Sequence, residues 1–412
     1  MFLDLKPDLT AEQLALKEQV HKFAAEVMRP AADKLDKCAD PADVIANDSV
    51  LWDVLRQSRE LGYHTRALPE ELGGLPLGPI EQNIIGEELG WGSAGLSICM
   101  GASSMPFAFA AMFGTPELIE EHVIPFRDDK KGKYIGCWAI TEPEHGGGDQ
   151  LYIGAKREGI PLIRHQTRAK LDGDEWVING QKAAWVSNGT IATHALLHVS
   201  LEGTEDERDA AMLFLPLDKV GVSKGKPLDK IGQRDLNQGE IYFEDVRVPK
   251  HYMLVGPELY EPVTDMILAG ANGGMATTFT GVARSAFEEA LEYCKVRVAG
   301  AKIITKHQLV QKRLFDMFTK VESARALARA VNGYNAQAMP PEPHYAVAAK
   351  VHNTEIAFEV ASDAVQLLGG CGLSKEYQVE RIFRDARAAM IEDGDNDTLR
   401  LGGSRYLLER YV

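Results

Sequence analysis

A block of short β-branched and aromatic runs lies between Tyr134 and Pro249, with long helical periodicity on both sides of it. The runs "YIGCWAIT", "EWVINGQKAAWVSN", "HALLHVSL", "AAMLFLPL" and "GEIYFEDVRVP" are separated by Gly, Asn and Asp turns, and "VINGQK" carries an Asn-Gly pair of the hairpin type. Helical spacing covers 11–37, 50–61, 80–90 and, with breaks, 95–124 before the block; after it come 263–297, 307–336, 343–368, 374–390 and 397–410. A chain of 412 residues has room for two or three cores. The layout is helices, then a small β-domain, then helices again.

The net charge of -15 argues against a nucleic-acid binder or a protein held to membranes by basic surface. Five cysteines (Cys38, Cys99, Cys137, Cys294, Cys371) have no metal-ligand spacing and read as reduced thiols of a cytoplasmic protein. The opening reads as a helix capped by Thr10 with Gln13 three positions on, not as a leader. "MILAGANGGMATTFTGVA" (266–283) contains Asn272 and three threonines, and is expected to be a buried helix, not a membrane span. No GxGxxG or GxxxxGK[ST] loop is present, which disfavours the usual nicotinamide and triphosphate sites. Near the C-terminus, "MIEDGDNDTLRLGG" (390–403) crowds Glu392, Asp393, Asp395 and Asp397 around Gly394. Such a cluster can handle protons, bind a metal, or open a helix. It lacks the glycine placement and terminal Glu of a calcium loop, so no metal is expected.

Three stretches resemble the acyl-CoA dehydrogenase family of flavoproteins. "CWAITEPEHGGGDQ" (137–150) is similar to its β-domain motif, "KIGQRDLNQGEIYFEDVRVP" (230–249) to its exit from that domain, and "QLLGGCGLSKEYQVERIFRDARAAMIEDG" (366–394) to its C-terminal motif. "RVAGAKIITKHQ" (297–308) resembles a fourth segment. The resemblance spans the chain and implies an α+β fold: an N-terminal α-helical domain (1–133), a middle β-barrel or sandwich-like domain (134–250) and a C-terminal four-helix-bundle domain (251–412). It implies FAD as cofactor, an acyl-CoA substrate and an electron-transfer flavoprotein as acceptor. The implied assembly is a homotetramer or dimer, since the segments holding Arg297, Gln308, Gln366, Gly369 and Gly370 would reach a neighbouring subunit's flavin.

The residues support parts of this independently. A flavin needs backbone donors, small residues and an aromatic wall. Trp138, Ile140, Thr141, Gly147 and Gly148 offer a strand end and unencumbered amides, although the glycines also suit a plain hairpin. Trp185 and Ser187 lie against the ring by resemblance, whereas a strand tryptophan alone would read as core. Gly369 and Gly370 also suit a helix C-cap. The implied reaction removes an α-proton from an acyl thioester and passes the β-hydrogen as hydride to flavin N5. The family's glutamate base falls on Asp393, with Glu392 in reserve, and the alternative base position is Ala271. Substrate contacts are expected from Gly148, Asn272, Gly394 and Arg400, with Asn272 standing where many relatives have arginine. Asp395 and Asp397 either line the cofactor tail or, with Asn396, open the last helix. Lys156, Arg157, Arg164, Arg168 and Lys170, in a long connection, face either a substrate anion or solvent. A branched, cyclic or dicarboxylic acyl group is the expected substrate; a nitroalkane-oxidase-like enzyme or a non-catalytic flavin subunit are the alternatives.

Overall fold

The computed structural model describes residues 9–146, 164–203 and 209–410. The N-terminal third is helical: α1 (Ala11–Phe23), α2 (Arg29–Asp36), α3 (Val50–Glu60), α4 (Pro79–Gly92), α5 (Ala94–Phe113), α6 (Pro116–Leu118) and α7 (Ile124–Asp128). The expected capping box closes the start of α1, where Gln13 N–H donates to Thr10 Oγ1 at 3.2 Å and Thr10 N–H donates to Gln13 Oε1 at 3.1 Å. The strands follow: β1 (Gly136–Ala139), β2 (Arg168–Asp172), β3 (Glu175–Lys182), β4 (His194–Leu201), β5 (Ala210–Pro216), β6 (Val222–Lys224), β7 (Ile241–Pro249) and β8 (Met253–Val255). Long helices then return: α8 (Pro257–Val296), α9 (Gln308–Asn335), α10 (Pro343–Leu368), α11 (Gln378–Ala388) and α12 (Asn396–Arg410).

The sheet runs β6-β7-β3-β2-β4-β5-β8. Both β1 and β2 pair parallel to β4, β1 along its first half and β2 at its end. Every residue of β4 is buried, as a strand covered on both faces must be. One sequence expectation fails here. Asn179-Gly180 lies inside β3, not in a turn; the β2–β3 hairpin instead turns at Gly173, at φ 63°. The pair forms a bulge in which Asn179 exchanges two 2.9 Å hydrogen bonds with Asp245. Gly180 is required there, because a Cβ would lie 2.6 Å from Thr167 Cα.

Apolar packing crosses the three regions, one cluster joining the strands to Phe107 and Phe126 of the N-terminal helices and to Ile267 of α8, and a buried ionic knot ties α4 to α8 and α9. Glu87 on α4 accepts from Arg284 of α8 at 2.7 Å and from Arg325 of α9 at 2.9 Å. Burial pushes Glu87 up, but Arg325 and Arg284 prevail and hold it at about 2. Replacing Glu87 with glutamine is expected to cost about 3 kcal/mol at pH 7, measured by denaturant unfolding, because two buried guanidiniums lose the carboxylate they share, Arg284 keeping Glu88 and Arg325 keeping Glu322. The folded value lies below the unfolded one of roughly 4.3. The wild-type advantage is therefore full above that pH and should shrink as the pH falls towards 2.

All five cysteines are unbridged. α5 and the stretch Pro343–Leu373 are long and apolar enough to span a membrane by composition. In the fold, α5 packs its apolar side chains into the interior.

Candidate active site

Three chain segments meet around the acidic turn between α11 and α12. The first is the turn itself. Asp393 sits at φ 50° and Gly394 at φ 98°, two successive left-handed residues. Aspartate tolerates that region better than most side chains, and such strain collects at functional sites. The neighbouring amides are satisfied, with Glu392 N–H donating to the Ala388 carbonyl at 3.1 Å and Asn396 N–H to that of Met390 at 3.0 Å. The Asp393 amide has no acceptor among the described residues.

The second segment is α10, through Lys350. This lysine is fully buried, and its Nζ donates to the Gly394 carbonyl at 2.7 Å and to Asn396 Oδ1 at 2.8 Å. It therefore clamps the turn from below. The third is the loop before β7. Lys230 Nζ donates to the Leu236 carbonyl and to Gln238 Oε1, both at 2.8 Å, and faces Glu392. Gln233, itself at φ 48°, donates its side-chain amide to the Asp385 carbonyl at 3.4 Å and its N–H to Asp385 Oδ1 at 2.5 Å, and lies beside Glu392.

Electrostatics then sorts the acids. Burial, then the neighbouring Asp393 charge, push Glu392 up to about 8, against the pull of Lys230 and Lys350. Burial also raises Asp393, with Lys350 opposing. Lys350 and Lys230 are each lowered by burial to about 8. Two carboxyls raised together and flanked by two weakened ammonium groups make a proton-handling centre. Near neutral pH, Glu392 holds a proton and Asp393 is the carboxyl available to take one.

Asp395 is a helix cap: its Oδ1 accepts from the N–H of Asp397 at 3.0 Å and of Thr398 at 3.1 Å. Asp397 is exposed and accepts from Arg400 at 2.9 Å. Arg400 also donates to Glu355 at 2.5 Å, so its guanidinium is already shared between two acids. Asn272, expected beside the substrate, is instead fully buried, and its amide donates to the Leu268 carbonyl at 2.9 Å. That face of α8 turns towards the helices, which removes Asn272 from a substrate surface.

At the sheet, the strand-end residues come together. The Ala183 N–H donates to the Thr141 carbonyl at 2.8 Å, and the buried Lys182 donates to the Ile140 carbonyl at 3.2 Å and Glu142 Oε1 at 2.6 Å. Just beyond, Trp185 is 59% exposed, so the reading of it as core fails. Gln238 Nε2 donates to both the Trp185 carbonyl and Ser187 Oγ at 3.2 Å, fixing that edge. Trp138 donates its indole N–H to His198 Nε2 at 2.8 Å. His198 is thereby neutral with its proton on Nδ1, which lies 2.8 Å from the Tyr260 hydroxyl. An exposed indole beside a hydroxyl and a strand-end backbone fits the wall of a flat ring. Gly147, Gly148, Lys156 and Arg157 lie outside the described residues. Arg164 and Arg168 both pair with Asp209, at 3.4 and 3.2 Å.

Gly369 ends α10 as its C-cap, at a positive φ of 61°. Arg297, Gln308, Gln366, Gly369 and Gly370 are all exposed. Apolar side chains surround them in sequence, with Val296 76%, Leu309 82%, Phe315 68% and Leu373 78% exposed. Sequence reasoning missed Lys350, Lys230 and Gln233. The one available signal was a lysine on the apolar face of "AVAAKVHNTEIAFEV".

Family comparison fits this geometry region by region. Residues 10–127, 137–246 and 265–408 match the N-terminal, middle and C-terminal domains of acyl-CoA dehydrogenase. The chain belongs to the acyl-CoA dehydrogenase family. It is 31% identical over 400 residues to the mitochondrial short-chain specific acyl-CoA dehydrogenase of Bos taurus, covering 96% of this chain and 90% of that protein. It is 31% identical over 415 residues to a probable acyl-CoA dehydrogenase of Bacillus subtilis, covering 98% and 99%. Among solved structures, butyryl-CoA dehydrogenase from Megasphaera elsdenii superposes with a TM-score of 0.82 at 26% identity, over 99% of this chain and 100% of that one. A chain from a structure described as the electron transferring flavoprotein of Acidaminococcus fermentans gives a TM-score of 0.84 at 28% identity, over 98% and 100%. The acyl-CoA dehydrogenase fold thus accounts for the helix–sheet–helix order.

Proposed function

We propose that this acyl-CoA dehydrogenase removes the α-proton of an acyl-CoA thioester with the Asp393 carboxylate. The observation that carries the reading is the left-handed turn, which presents a raised carboxyl and an unsatisfied amide of the same residue side by side. The carboxylate takes the proton, and the amide N–H donates to the thioester oxygen as charge builds there. Glu392 beside it is protonated near neutral pH and adds no competing negative charge. Lys350 holds the turn and moderates the acid pair. FAD, when bound against Trp185 and Ser187, supplies the acceptor for the β-hydrogen and its electron pair. An electron-transfer flavoprotein is the partner that reoxidises it. The exposed apolar side chains around Arg297, Gln308 and Leu373 support contact with a second copy of the chain.

Anaerobic titration of the purified protein with straight, branched and dicarboxylic acyl-CoAs is expected to bleach the flavin band with at least one of them. No bleaching by any thioester, with oxygen uptake on nitroalkanes, would assign the protein to oxidase chemistry instead.

A further inference from the structure

Gln238, in the loop before β7, forms an antiparallel bridge with Ser187, and its own carbonyl accepts from the Leu228 N–H at 2.9 Å. Its backbone is thus held from two sides. The side chain is buried, and its two ends meet partners of opposite kind. Oε1 accepts from Lys230 Nζ at 2.8 Å, while Nε2 donates to the Trp185 carbonyl and to Ser187 Oγ, both at 3.2 Å. An ammonium can only donate and a carbonyl can only accept, so this amide has one orientation. Ser187 Oγ is therefore the acceptor in its contact with Nε2. Its own O–H is left to donate, and has no acceptor among the described residues.

Lys230 puts a charge behind this amide. Its Nζ is also tied to the Leu236 carbonyl at 2.8 Å, and it faces Glu392 of the acidic turn. One ammonium thus stands between the proton-handling acids and the edge formed by Trp185 and Ser187. A cation on Oε1 draws electron density through the amide and makes Nε2–H a stronger donor. A hydroxyl that accepts a stronger bond donates a stronger one in turn.

We propose that Lys230 and Gln238 are positioning residues for the flavin: they aim the Ser187 O–H at the ring and strengthen it as a donor, which favours the reduced cofactor. The inference rests on the placement of the ring against Ser187 given above. A donor fixed beside a ring that gains electron density stabilises that density without having to reorient. Such hydrogen bonds are a lever by which a protein tunes its cofactor.

The test measures the reduction potential of the flavin in the purified holoenzyme, with flavin content and melting temperature as checks on folding. Gln238→Leu removes both ends of the amide and is expected to disfavour reduction about tenfold, or about 30 mV for a two-electron couple. Ser187→Ala should give a shift of similar size. Adding Gln238→Leu to Ser187→Ala should then change little, because the amide acts through the hydroxyl. Lys230→Met should give part of the Gln238→Leu shift, and Lys230→Arg should restore most of it. Gln238→Glu keeps the contact with Lys230, but its carboxylate accepts from Ser187 and turns the O–H away from the ring, so reduction is again disfavoured. A Gln238→Leu potential equal to wild type, or a shift of the same size with and without the Ser187 hydroxyl, overturns the inference. If Gln238→Leu binds no flavin, the lysine variants decide, and equal potentials in Lys230→Met and Lys230→Arg overturn it. If Ser187→Ala alone leaves the potential and the visible spectrum unchanged, the ring is not against Ser187, and the inference falls with that placement. Bleaching by an acyl-CoA would still leave the dehydrogenase reading standing.

Discussion

Asp393→Asn is expected to slow flavin reduction by a good acyl-CoA by roughly 10²- to 10⁴-fold, the usual loss when a positioned general base is removed. Flavin content and melting temperature should change little, because asparagine tolerates the left-handed conformation as well as aspartate does. Rapid mixing under anaerobic conditions reads the step directly. Glu392→Gln is the control, expected to slow it far less, since Glu392 already carries a proton near pH 7. Undiminished reduction in Asp393→Asn, with a collapse in Glu392→Gln, would transfer the role to Glu392. The pH dependence has a defined sign. A base must be ionised to act, so the rate climbs as pH rises through the apparent pKa of the pair. Burial raises both carboxyls, which places this limb above the ordinary carboxylate range of roughly 4.

Lys350→Met is expected to act on both stability and chemistry. The side chain is fully buried, grips Gly394 and Asn396, and faces Asp393, Glu392 and Asp395. Its loss leaves those oxygens unpaired and should cost about 3 kcal/mol in denaturant unfolding. The acidic limb of the rate profile should also move up by on the order of one pH unit, because a cation favouring the ionised acids is gone. In wild type, Lys350 sheds its proton as pH passes about 8, so the rate should level or fall above that pH. The variant should lack this alkaline break. A profile identical to wild type, in a variant that is merely less stable, would reduce Lys350 to a structural post.

The same contacts explain what sequence reading could and could not reach. Helix–sheet–helix order was legible because period and composition change abruptly near Tyr134 and Pro249. The start of α8 was misplaced, because Pro262 reads as a breaker, whereas the helix begins at Pro257 and carries Pro262 in its interior. Asn179-Gly180 misled for a related reason: the dipeptide that suits a hairpin turn also suits a bulge, and only the partner strand decides. At the site, the acids were visible as an anomaly of local composition. Lys350 was not, because it meets the turn 44 residues away in sequence through tertiary packing alone. Gln233 and Asp385, 152 positions apart, are joined in the same way across the sheet–helix boundary.

The boundary also carries the Arg-Asp pair of the C-terminal motif. Arg384 forks onto both oxygens of Asp36 at 2.8 and 2.7 Å, while Asp385 holds Gln233. The motif therefore ties α2 and the β-domain exit to the helix that leads into the acidic turn.

The left-handed backbone at Asp393 bears on how the chain could have arrived at its present carboxylate. At that φ the main chain sets where the Asp393 side chain leaves the turn, and Lys350 holds the turn itself through the Gly394 carbonyl. A single exchange to glutamate would push the carboxyl one methylene further and place it in a conformation that longer side chains adopt less readily. An exchange to glutamate is therefore expected to need an accompanying adjustment of the turn before the longer carboxyl could take the same place.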